Sequence, residues 1–155
     1  MASKNGHFEI VEILLQIGAD TNAEDKVHEH FTPLHYAASY GHIEVTKSLI
    51  QFGANVFAKS MPHNLTPLHY AALSGHAGVA EILLQNGSNP NAMENGRQGT
   101  PLHCAAEGRH VGVVKILLKY GARKDLKNWQ DKTPLDSSVE LYGWLGLGIM
   151  LSLLL

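Results

Sequence analysis

The tetrapeptide Thr-Pro-Leu-His stands at Thr32 to His35, at Thr66 to His69 and at Thr100 to His103, with an altered copy, Thr-Pro-Leu-Asp, at Thr133 to Asp136. The steps between the threonines are 34, 34 and 33 residues. A fixed period of this size means that each unit is one supersecondary element that buries its apolar face only against its neighbours, so the units must stack. An array of this kind directs the search for function to a surface rather than to a catalytic pocket.

The segment TPLHYAASYGHIEVTKSLIQFG, Thr32 to Gly53, serves as the type unit. Thr32 is a good N-cap, and Pro33 falls at the first helical position, where its missing N–H costs nothing and its fixed φ suits the helix. Gly41 supplies the left-handed residue that closes this short helix, and Ala37 and Ala38 keep it slim enough for close stacking. A second helix is predicted over Ile43 to Gln51, with Ile43, Val45, Leu49 and Ile50 at the spacings of a buried stripe, ended by Gly53. From the threonine to this second glycine the distance is 21 residues in all three full copies. From that glycine to the next threonine it varies: 14 residues after Gly18, 13 after Gly53 and Gly87, 12 after Gly121. All length variation thus falls in one loop, and such insertions map to one face, often the binding face.

These residues resemble the ankyrin repeat. The family pattern can be followed in TPLHYAALSGHAGVAEILLQNGSNPNA and, in a truncated first unit, in NGHFEIVEILLQIGADTNA, and the likeness runs from residue 5 to about residue 136. The resemblance implies an all-α repeat solenoid: stacked helix pairs joined by β-hairpin or loop fingers, whose fingers and first helices form a concave recognition surface. It divides the chain into an ankyrin-repeat domain over residues 1–138 and an apolar tail over residues 139–155. Within the domain come a partial repeat at 1–31, full repeats at 32–65, 66–99 and 100–132, and the start of a degenerate repeat at 133–138.

Three departures from the pattern carry expectations. Gly6 and His7 align with Gly41 and His42, so the first helix of the first unit is expected to be missing, with Met1 to Asn5 unable to replace it and one end of the core open. In the third full copy Arg109 occupies the glycine position and Gly108 comes one residue early, which predicts a shifted or strained helix end. The glycine expected two residues before each threonine is replaced by His30, Asn64, Gln98 and Asp131. Asn, Asp and His tolerate left-handed backbone better than most residues, but the replacement sets the standard finger geometry in question.

Ten histidines invite a metal reading. Seven belong to the repeat: His35, His69 and His103 in TPLH, and His7, His42, His76 and His110 at the Gly-His position, where the resemblance implies structural hydrogen bonds within and between units. His28, His30 and His63 remain, all in loops; their type suits zinc, but without a cysteine cluster or a recognised spacing no metal site is assigned, and no cofactor is expected. Cys104 aligns with Tyr36 and Tyr70, so packing or a contact on the first helix is expected of it rather than nucleophilic chemistry, with little thiolate character. No Gly-rich phosphate loop, HExxH or nucleophile elbow is present, and the chain does not read as an enzyme.

The net charge of −2 and sequence pI near 6.5 give no clustered basic surface for a phosphate backbone, so a protein or peptide partner is expected rather than nucleic acid. A single cysteine and the lack of an apolar N-terminal segment after a basic region point to a reducing setting, the cytoplasm with the nucleus as an alternative. The family geometry implies contact positions in the fingers and late in the first helices: His28, Glu29 and Phe31 with Ser39 and Tyr40; Pro62, His63 and Leu65 with Leu73 and Ser74; Gly96, Arg97 and Gly99 with Glu107 and Gly108; then Trp129, Gln130 and Lys132. Aromatic and arginine side chains dominate interface energetics, which singles out Phe31, Tyr40, Arg97 and Trp129. The competing reading for Phe31, Leu65 and Trp129 is packing against neighbouring fingers. Ankyrin repeats are also substrates of the asparaginyl hydroxylase that inhibits hypoxia-inducible factor, which favours an Asn with Leu eight residues before and an acid two before. Asn22 has Leu14 and Asp20 there; Asn91 has Leu83 but Asn89. A role for both amides in satisfying turn backbone is the preferred alternative.

After TPLD the unit decays. Residues 141–155 carry no charge and one hydroxyl, Ser152. The preferred reading is a degenerate last helix covering the third full unit, as in a piece of a longer array. Membrane attachment through residues 141–155 is a rival, although 15 residues fall short of the about 20 that span a bilayer. Self-association through an apolar end is another.

Overall fold

The computed structural model describes residues 1–27, 29–142 and 148–155; the side chains of residues 141 and 142 fall outside that description. Ten helices follow one another among the described residues: α1 Ala2–Asn5, α2 Phe8–Gln16, α3 Pro33–Tyr40, α4 Ile43–Gln51, α5 Pro67–Ser74, α6 Ala77–Gln85, α7 Pro101–Glu107, α8 Val111–Lys119, α9 Pro134–Tyr142 and α10 Ile149–Leu154. First helices pack on first helices (α1, α3, α5, α7, α9) and second helices on second helices (α2, α4, α6, α8). The result is a two-layer, all-α solenoid.

The repeat tetrapeptide explains both how each unit starts and how it joins the next. Thr32, Thr66 and Thr100 are extended N-caps with proline following, and each forms a capping box with the histidine three residues on. The threonine backbone N–H donates to His Nδ1 at 3.1 to 3.2 Å, which leaves the ring proton on Nε2. That proton reaches forward: His35 Nε2 donates to the Leu65 carbonyl at 3.1 Å and His103 Nε2 to the Lys132 carbonyl at 3.0 Å. In the middle unit the buried His69 Nε2 makes no bond of hydrogen-bonding geometry, although the Gly99 carbonyl is the group nearest in role. All three rings are buried, and burial pushes His35 and His69 down to about 4 and lowers His103 as well.

The Gly-His pairs reach the other way. His42 Nε2 lies 3.0 Å from the Lys4 carbonyl, His76 Nε2 3.2 Å from that of Ser39, and His110 Nε2 3.0 Å from that of Leu73. The room for these rings comes from glycine: a Cβ on Gly41 would sit 2.5 Å from His76 Nδ1, and one on Gly75 2.6 Å from His110 Nδ1. In the third full unit the helix ends one residue early at Glu107, and Arg109 itself takes the left-handed backbone, φ 57°. The expected disturbance is therefore there, as a shortened helix with a non-glycine residue in the strained position.

The core is a column of repeat-equivalent residues: Leu34, Leu68 and Leu102; the paired alanines after them; Val45, Val79 and Val113; Leu49, Leu83 and Leu117. At the start of the chain the structure differs from expectation. Ala2 to Asn5 do form a helical turn, because Gly6 closes it in left-handed backbone and His42 holds the Lys4 carbonyl. What this turn does not replace is the half of the helix that TPLH would start, and a cavity of about 200 Å³ remains between Met1, Val11, Leu14, Pro33 and Leu49. At the other end Thr133 still caps α9, with Asp136 in the histidine's place accepting from the Thr133 N–H and hydroxyl. Helix α10 lies against α8 and α9 and buries Met150 and Leu154. No helix among the described residues is long and apolar enough to cross a membrane.

Candidate interaction surface

The four fingers close in the same way despite their substitutions. In each, the N–H of Asp25, Ser60, Glu94 or Asn128 donates to the carbonyl of the residue just before the threonine: Phe31, Leu65, Gly99 and Lys132, at 2.8, 2.9, 3.1 and 2.9 Å. The residue two before each threonine is left-handed in all four, with φ 56° at His30, 59° at Asn64, 54° at Gln98 and 61° at Asp131. The varying loop length is absorbed inside this closure, where it changes the tip and leaves the stacking untouched. Only the first finger makes an isolated β-bridge, Asp25 with Phe31, and no strand forms among the described residues, so the fingers are loops rather than hairpins. Adjacent fingers are joined in series: Met61 N–H to Glu29 carbonyl, Asn95 N–H to His63 carbonyl, Trp129 N–H to Arg97 carbonyl.

The contact residues expected from sequence separate into two grooves. The first, about 450 Å³, lies between the first finger and α3 and is lined by Lys4, Val27, Glu29, Phe31, Tyr36, Ser39 and Tyr40. The second, about 510 Å³, gathers His63, Leu73, Arg97 and Glu107 over a floor that includes Leu65, Cys104 and His103. Trp129 and Gln130 line neither; the Trp129 ring is 60% exposed at the tip of the last finger. Ser74 is exposed beside Leu73, and His28 lies outside the described residues.

The two grooves differ chemically. In the first, Phe31 is half-buried and packs edge-on to Tyr70 at 4.7 Å, with Tyr36 at 5.2 Å and His35 at 5.4 Å, so this aromatic works partly as cement between the first finger and the helices α3 and α5. The Tyr36 hydroxyl donates to Asp25 Oδ2 at 2.7 Å, and burial together with that carboxylate pushes the phenol up to about 12. Tyr40 is half exposed and stacks on His42. In the second groove the buried Glu94 carboxylate accepts from the N–H groups of Gly96, Arg97 and Gly99, which fixes the loop that presents Arg97. Cys104 is buried beneath it, and burial raises its thiol to about 12, so almost no thiolate exists at neutral pH. Sequence reading missed Lys4, Tyr36 and Glu94 as parts of this surface; the tyrosine following TPLH in two copies was the available signal.

His30 and the two asparagines have structural partners. His30 Nδ1 lies 2.9 Å from Glu24 Oε2, and no group of three or more metal-ligating side chains gathers among the described residues. Asn22 accepts from the Asn55 N–H at 2.8 Å and donates to the Gly53 carbonyl; Asn91 accepts from the Arg123 N–H at 2.8 Å and donates to the Gly121 carbonyl. Each amide thereby clamps one unit to the next.

Together, stacked helix pairs, serially joined fingers and shallow grooves define a repeat scaffold. Family models bear this out: one described as ankyrin repeats (3 copies) matches residues 1–94, and one described as ankyrin repeats (many copies) matches residues 83–136. The chain belongs to the ankyrin-repeat family, whose members are in general protein–protein interaction modules and typically not enzymes. No curated protein matches the chain.

Proposed function

We propose that this chain binds a protein or peptide partner through its finger and first-helix face, with Glu29, Phe31, Ser39 and Tyr40 contributing one groove and His63, Leu73, Arg97 and Glu107 the other. What supports this reading is that both grooves open between elements already held rigidly by the repeat's own hydrogen bonds, while Tyr40, Leu73 and Arg97 stay exposed. Exposed aromatic and arginine side chains on a preorganised surface are what an interface core draws on. The half-buried Phe31 is the weaker member, since its ring already has three aromatic neighbours. Trp129 and Gln130, together with Ser74, would form the rim.

Crosslinked capture with the intact chain, compared with Tyr40→Ala and Arg97→Ala variants, tests this. Loss of the captured protein with an unchanged melting temperature supports the reading. A parallel fall in melting temperature assigns both residues to the scaffold and overturns it.

Hydroxylation of Asn22, and less readily of Asn91, is a separate proposal carried by the flanking residues. Both amides clamp backbone, so access requires the turn to open. One added oxygen on the Asn22 peptide after treatment with the hydroxylase supports it, and an unshifted peptide ends it.

A further inference from the structure

The first groove already holds a cation of the protein's own. Lys4, carried by α1, places Nζ 6.0 Å from the ring centroids of both Tyr36 and Tyr40. Both rings project from α3, one turn apart, and each presents a π face to the ammonium. The surroundings reinforce this. Tyr36 donates its hydroxyl proton to Asp25, which draws negative charge towards the ring system. Glu29 lines the same groove and accepts from the Tyr70 hydroxyl at 3.4 Å, so the lining includes an exposed carboxylate. Tyrosine faces and carboxylates converge here, whereas the second groove, although Glu94 and Glu107 line it, offers no tyrosine, phenylalanine or tryptophan ring and carries Arg97 and His63.

We propose that the groove between α1, α3 and the first finger receives a lysine or arginine side chain from the partner, and that Lys4 is its internal stand-in, competing for the two tyrosine rings. The assignment rests on the reading that this face binds protein, and it adds the chemistry of one contact. It follows from complementarity. A cation entering between Tyr36 and Tyr40 gains two ring faces and the field of Asp25 and Glu29, whereas an apolar side chain of equal length gains contact area alone. The stem of a lysine or arginine suits the apolar sides offered by Val27 and Phe31.

The probe is N-acetyl-lysine methylamide, titrated against the full chain while the ring resonances of Tyr36 and Tyr40 are followed by NMR, with the norleucine analogue as the uncharged control. Saturable shifts of both rings with the lysine probe and none with norleucine are expected. Lys4→Met keeps the stem and removes the competing charge, and should tighten the lysine probe roughly two- to fivefold, the factor one exposed cation–π contact is worth. Unshifted rings in Lys4→Met, or equal shifts with norleucine, overturn the assignment. Amide spectra of Lys4→Met that match the parent exclude a folding artefact, and Tyr40→Leu supplies a second variant in which the lysine shifts should vanish. Partner capture through the Arg97 groove is read independently, so a failed titration beside intact capture removes the lysine assignment while the interaction reading stands.

Discussion

The outward face of α2 and the inward faces of α4, α6 and α8 carry the same kinds of residue at the same helical positions, yet their fates differ. Ile10 is 51% exposed, while its equivalents Val45, Val79 and Val113 are at 0 to 1%. Leu14 is 41% exposed, while Leu49, Leu83 and Leu117 are at 0 to 1%. Burial in this molecule is therefore conferred by the neighbouring unit, and a side chain's type only makes it eligible. That is the energetic signature of a one-dimensional array, in which stability is a sum over seams between units.

The sharpest test of the comparison is the pair Leu83→Ala and Leu14→Ala. Leu83 is sealed within the stack of second helices, so its truncation removes transfer energy and leaves a cavity, about 2 to 5 kcal/mol. The same change at Leu14 should cost about 1 kcal/mol or less, since much of that side chain already meets water. Urea denaturation of the two variants settles it, and equal losses would mean that the end unit is as consolidated as the interior.

Acid should attack the interior units first. His35 and His69 are held down to about 4 in the folded chain against 6.5 when exposed, so between these values the unfolded chain binds protons that the native one refuses. The stability they secure is full above about pH 6.5 and drains away as the pH falls towards 4. At pH 5 the loss is on the order of 2 kcal/mol for each ring. In the last unit Asp136 stands where the histidine would be, and its carboxyl is held below its ordinary 3.8 by bonds from Thr133, so that cap yields only below about pH 4. Melting temperatures between pH 7.5 and 4.5 should fall chiefly in the histidine window; a flat profile down to pH 4.5 would show that the buried rings are protonated at little cost.

The seams are not equal either. Asn22 clamps the first unit to the second and Asn91 the third to the fourth, but the corresponding residue between the second and third is Phe57, which is exposed and has no amide to bond the equivalent Gly87 carbonyl and Asn89 N–H. Asn91→Ala should cost about 1 kcal/mol through two lost backbone bonds. Phe57→Asn should return about 0.5 to 1 kcal/mol by completing the series. Hydrogen exchange at the Asn89 amide reads the second effect directly, and unchanged exchange there would show that the missing clamp is not a weak point.

Much of this was legible in the chain. Thr-Pro at each helix start, Gly41 and Gly75 at the first-helix ends and the apolar spacing of Ile43 to Gln51 fixed the helix pairs to the residue, because each signal is a local backbone requirement. The candidate contacts were legible as positions but not as grooves. Whether Phe31 faces a partner or Tyr70 depends on where the next unit's first helix stands, and Lys4 enters the surface only because His42 holds its carbonyl and so orders a turn that has no repeat signature. The clamps escaped notice for the same reason: Asn22 and Asn91 read as turn residues until the following unit's backbone is placed beside them.

The smallest effect tests whether the disturbed third full unit, residues 100–132, is strained or merely different. Arg109 holds φ 57°, where Gly41 and Gly75 stand in the earlier units, and Gly108 before it has ordinary right-handed backbone. An L side chain in that region costs about 1 kcal/mol, and glycine relieves it at the expense of a more flexible unfolded chain. Arg109→Gly should therefore stabilise by about 0.5 kcal/mol, net of whatever the arginine side chain contributes there. Gly108→Ala should do the reverse, because its Cβ would meet the His110 ring at 2.5 Å and push it from the Leu73 carbonyl. If Arg109→Gly destabilises instead, the arginine side chain outweighs its backbone strain, and the departure from the repeat is a contact the third full unit uses.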